Sequence, residues 1–155
     1  MAKEFSFADL NKEMSKISEY GETLDKSTIS EIDHYIPTGN YHLNACLTGS
    51  LFGGYPNNRA VALAGPSGTG KTYLILNAIK QAQKQGYSIV FYDSENAVDK
   101  SLVEKFGIDP KTFRYEPCNT VQEFRSSVTA ITDVLIEQKK KGIKLPKIMV
   151  VLDSA

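Results

Sequence analysis

Three glycines, a lysine and two threonines fall from Gly65 to Thr72 in the segment AGPSGTGKTYL, directly after the apolar run RAVAL at 59–63. Gly65, Gly70, Lys71 and Thr72 fit the phosphate-loop spacing G-x-x-x-x-G-K-[ST], with Pro66, Ser67, Gly68 and Thr69 as the intervening residues and Tyr73 following. Glycine at such positions lets the backbone curl so that successive N–H groups face phosphate oxygens, and the helix N-terminus behind adds partial positive charge. Lys71 would reach the β- and γ-phosphates as a point charge, and the Thr72 hydroxyl would take a coordination position on Mg²⁺.

Such a loop needs acidic partners. Asp153 closes the apolar run IMVVLD, so a buried strand would bring its carboxylate to the sheet edge that carries the loop, where it can help to hold Mg²⁺. The stretch FYDSENAVD ends another apolar run and supplies Asp93 and Glu95 at the same edge, candidates for positioning water.

The elements that must carry these residues are legible as alternating periods. AVALAG reads as a short buried strand, and KTYLILNAIKQAQKQG as a helix with Leu74, Ile75, Ala78, Ile79 and Ala82 on one face and Gly86 as its stop. YSIVFYD is the next strand, followed by a helix over about 99–106 that Gly107 ends. FRYEP is a third strand. Thr120 with Glu123 is a capping-box signature for a long helix bearing Val121, Phe124, Val128, Ile131 and Leu135. KIMVVLDSA is a last strand. The pattern predicts an α/β fold, a parallel sheet with helices on both faces. Ahead of it, Phe7, Leu10, Met14 and Ile17 follow Ser6 at helical spacing, a short amphipathic helix whose stripe packs on its own core or on a neighbouring subunit. Residues 1–39 read as this helix and a lead-in segment with a helical patch at 41–47 beyond it, and 40–155 as the core.

Composition narrows the function. The 155 residues suit one packed domain, and 18 basic against 18 acidic side chains leave no net charge, so no electrostatic footprint for nucleic acid or membrane is built into the composition. Lys139 to Lys141 sit where a helix dipole favours cations, which explains the run without DNA. Cys46 and Cys118 lack metal-ligand spacing, His34 and His42 read as surface histidines, and no apolar run is long enough to cross a bilayer. A soluble, cytoplasmic protein is expected.

GPSGTGKT, then IVFYDSENAVD with KFGID after it, then IMVVLDS, in this order and spacing, resemble the ATPase core of the RecA family of recombinases, with the branch of T-even phages the nearest likeness. LTGSLFGGYPNNRAVALAGPS resembles that family's approach to its phosphate loop. The resemblance implies a RecA-like P-loop NTPase that binds ATP and Mg²⁺, in which Glu95 polarises the attacking water and Asp99 approaches the adenine; Leu102 stands where bacterial members often carry a stacking tyrosine. It also implies filaments of this protein on single-stranded DNA, with DNA loops and a neighbour's basic residues lying beyond Ala155. On this reading the chain is a truncated first half of a recombinase core, with little turnover by itself. A RecA-fold helicase or repair ATPase, and an ATP-binding regulatory module that does not hydrolyse, are the alternatives.

Overall fold

The computed structural model describes residues 5–18, 21, 23–27 and 31–153, so the expectation about the chain's end at Ala155 lies outside the described residues. Two compact units are present, residues 1–33 and 34–155. The first holds α1 (Phe7–Ile17), opened by a reciprocal capping box between Ser6 and Asp9. Its stripe is solvent-facing, with Phe7 71%, Leu10 43%, Met14 52% and Ile17 83% exposed.

The second unit is built on a parallel three-stranded sheet. It contains β1 (Tyr35–Ile36), α2 (Tyr41–Thr48), β2 (Tyr55–Pro56), α3 (Lys71–Lys84), β3 (Tyr87–Asp93), α4 (Lys100–Lys105), β4 (Phe113–Pro117), α5 (Val121–Lys140) and β5 (Lys147–Asp153). β1 and β2 form a small antiparallel pair, and the main sheet runs β4-β3-β5 with β3 in the centre. Its register sets Ile89 beside Phe113 and Met149, and Asp93 beside Pro117 and Asp153.

Alternation along β3 decides which helix lies on which face. Ile89 and Phe91 belong to a cluster with Leu76, Ala78, Ile79 and Ala82 of α3 and Val103 of α4. Val90 and Tyr92 turn the other way, onto Phe124, Val128 and Ile131 of α5. A strand covered on both sides has no polar face, which is why YSIVFYD is nearly unbroken apolar sequence. Helix ends follow the expected chemistry: Asp99 caps α4, Thr120 and Glu123 make the capping box of α5, and Gly86, Gly107 and Gly142 follow helices with positive φ.

Five expectations are corrected. Residues 60–65 are not a strand but irregular backbone, mostly exposed, with Val61 at 46%. A strand exists only by pairing, and among the described residues no ladder reaches this segment. A cavity of about 1140 Å³ separates it from β5, lined by Ala60 to Gly65 on one side and Ile148 to Asp153 on the other. The open flank leaves Val150 44% exposed on a strand expected to be buried throughout. On α3 the buried set includes Leu76, at 1% exposure, which the predicted face omitted; packing against sheet and neighbouring segments widens the apolar stripe beyond one row. Val121, placed on the apolar face of α5, is 77% exposed, and Phe124 is the residue of that first turn that packs on the sheet. His34 is no isolated surface residue: its Nε2 lies 2.7 Å from the Tyr87 hydroxyl.

Candidate active site

Thr72 and Asp153, far apart in sequence, meet here: the Thr72 hydroxyl donates to Asp153 Oδ2 at 2.7 Å. α3 supplies the threonine from its first turn, and β5 supplies the aspartate from its last residue, 8% exposed. The parallel register brings Asp93 level with Asp153, and the Ser94 N–H donates to the Asp153 carbonyl at 2.9 Å. One end of the sheet therefore gathers two buried carboxylates and the residues of the loop that follows β3, the edge at which open α/β sheets bind ligands.

The glycine-rich segment wraps the start of α3. Gly68 and Gly70 adopt φ of +76° and +88°, where a side chain is strained. The Thr69 hydroxyl donates to the Pro66 carbonyl at 2.8 Å, and the Lys71 ammonium donates to the carbonyls of Gly65 and Pro66, each at 3.0 Å. Gly70 is the N-cap of α3 and brings no side-chain acceptor to its first turn, so those N–H groups keep the partial positive charge that favours an anion. Gly65 to Gly70, Ser67 included, are exposed. A phosphate oxygen is a stronger acceptor for the Lys71 ammonium than the neutral carbonyls that now hold it.

Asp93 is 1% exposed and accepts three hydrogen bonds: from the N–H of Glu95 at 3.0 Å, the N–H of Val98 at 3.1 Å and the hydroxyl of Tyr115 at 3.2 Å. It thereby folds the loop that presents Glu95, with Asn96 at φ +53° making the turn. Burial first, then the charge and hydrogen bond of Asp93, push the Tyr115 phenol above its usual range. The sequence named Asp93 and Glu95 for this edge; it missed Tyr115, whose only signal is its place on β4, two residues before the position level with Asp93.

The structure thus joins Thr72 to Asp153 and seats Lys71 over its own loop, where Gly65, Lys71 and Asp153 line one cavity. Glu95 stands exposed on the loop after β3. Asp99 is committed to α4, its Oδ1 accepting from the Leu102 N–H at 2.7 Å. Among the described residues no group of three His, Cys, Asp or Glu side chains could hold a metal ion. The paired hard oxygens of Thr72 and Asp153 do suit Mg²⁺, which shares its coordination between one or two protein oxygens, phosphate and water.

The family model for the RecA N-terminal domain matches residues 3–143. The chain belongs to the RecA family. RecA of Lactobacillus delbrueckii subsp. bulgaricus is 33% identical over 127 residues, 79% of this chain and 38% of that protein. RecA of Acholeplasma laidlawii is 34% identical over 110 residues, 70% of this chain and 31% of that protein. RecA of Bacteroides thetaiotaomicron is 43% identical over 74 residues, 48% of this chain and 22% of that protein. The chain therefore spans between 22% and 38% of the length of these RecA relatives. Among the described residues no helix is long and apolar enough to cross a membrane.

Proposed function

We propose that this chain is the ATP-binding and hydrolysing part of a RecA-like DNA recombinase that assembles as a filament on single-stranded DNA and promotes strand exchange in recombination and repair. The observation that carries the reading is the Thr72–Asp153 hydrogen bond at the mouth of a glycine-rich loop, because it couples a phosphate cradle to a buried acidic strand end. On this reading residues 40–155 are the first part of a P-loop ATPase core, and the likeness of the quoted segments to the T-even phage branch, within a family whose relatives named above are bacterial, is part of the proposal.

The glycine-rich loop, Pro66 apart, directs backbone N–H groups at the phosphates, and Lys71 leaves the Gly65 and Pro66 carbonyls for the β- and γ-phosphate oxygens. Thr72 and Asp153 would hold Mg²⁺, which when bound neutralises developing charge on the phosphates. Glu95 orients the attacking water and accepts its proton, and Asp93 keeps the Glu95 backbone in place. The work of these residues is positioning and electrostatics, since phosphoryl transfer needs little else from a protein. DNA binding, the homo-oligomeric filament and a cytoplasmic setting are what the resemblance to the RecA family implies. Titration of the chain and of Lys71→Ala with Mg-ATP tests the reading. The variant is expected to bind at least about tenfold more weakly, the loss of one charge-assisted contact. Equal affinities would remove the loop from the argument.

A further inference from the structure

Tyr73 is a large aromatic residue that the structure leaves in solvent immediately beside the phosphate loop. It follows Thr72 in the first turn of α3 and is 61% exposed, although α3 buries Leu76, Ala78, Ile79 and Ala82 a turn further on. Its ring is held in place by an edge-to-face contact with Phe106, the C-cap of α4, with centroids 5.4 Å apart and planes at 67°. Such a contact restrains a ring and covers at most one of its faces, and the 61% exposure of Tyr73 leaves aromatic surface open to a ligand. The Asn77 amide donates to the Tyr73 carbonyl at 2.9 Å and ties down the same turn.

We propose that Tyr73 is the stacking wall for the base of the bound nucleotide, and so the residue that makes this site prefer a nucleotide to bare polyphosphate. The inference rests on the phosphate-loop reading above. With the terminal phosphate drawn toward Lys71, Thr72 and Asp153, the sugar and base leave the loop over the first turn of α3, and Tyr73 is the aromatic surface of that turn. Asp99 is less free to serve the base, since its carboxylate already caps α4. A stacking wall of this type is tolerant of base identity, because every base offers a π-face.

The test compares Mg-ATP with Mg-tripolyphosphate, which has the phosphates and no base, titrated calorimetrically into the 155-residue chain and its variants. Tyr73→Ala is expected to weaken ATP binding about tenfold while leaving tripolyphosphate affinity unchanged. Tyr73→Phe should restore ATP binding, and Tyr73→Leu, which keeps apolar bulk against Phe106, should not. Unchanged ATP affinity in Tyr73→Ala, or equal losses for both probes, overturns the proposal. Tripolyphosphate binding that disappears in Lys71→Ala would still uphold the phosphate loop in that case, whereas wild-type chain that binds neither probe sinks both readings. Because Tyr73 is exposed, its truncation leaves the core intact, and an unchanged melting temperature verifies this.

Discussion

At the residue scale the most constrained group is Asp93. Three donors converge on a carboxylate that has almost no contact with water, and a buried acceptor removed from its donors leaves them unsatisfied. Asp93→Ala should therefore cost about 1–3 kcal/mol of stability in urea unfolding and release the 94–98 loop to amide exchange. Tyr115 gives the same contact a pH signature. Its folded pKa is raised above its unfolded value near 10, so its protonated form contributes stability that is complete below that value and is lost as pH climbs through the folded pKa. Melting temperature against pH should fall on the alkaline side, and Tyr115→Phe should flatten that limb. Glu95 differs: on the proposed reading, Glu95→Gln in the complete protein is expected to leave Mg-ATP affinity within about twofold while reducing DNA-stimulated hydrolysis by about two to four orders of magnitude. Normal turnover would return Glu95 to the surface. Gly65 to Thr72, Asp153 and Asp93 were legible because their types and spacing are chemical requirements. The Tyr115 contact was not, since cross-strand register is invisible in a linear pattern.

At the element scale, agreement and failure have one physical origin. β3, β4, β5, α3, α4 and α5 were readable because each carries its own local signal: a period, a cap or a glycine stop. The segment at 60–65 has the composition of a strand and none of the pairing, so its apolar residues line a cavity instead. Strand propensity describes fitness for a pleated, half-buried surface and cannot create one. Leu76 escaped for a related reason, because a helix that packs on more than a sheet face buries more than one row. Leu76→Ala should cost about 2–5 kcal/mol, comparable with truncation at any fully enclosed leucine. Thr120→Ala should cost only about 1 kcal/mol, the worth of one cap, and parallel urea titrations of the two variants would separate core from terminus.

At the scale of the whole molecule, α1 presents four apolar side chains to solvent from a helix with an intact cap. In the complete protein, deleting residues up to Ile17 is expected to lower sedimentation-detected self-association more than the melting temperature; lost stability with unchanged assembly would assign the stripe to its own chain. The meeting of Thr72 with Asp153 carries a separate consequence, one of timing. A ribosome delivers the phosphate loop first, then β3, and β5 only after α5 and its lysine-rich end have emerged. β3 meets β4 soon after it emerges, but its other flank waits for β5 far along the chain, and such distant pairings close slowly. A nascent chain halted near Gly142 thus displays its glycine loop without Asp153, and on the proposed reading nucleotide is expected to give it little protection from protease. Release of β5 covers the second flank of β3 and brings Asp153 to Thr72 in one event, so pairing of that strand and assembly of the candidate site are a single late step.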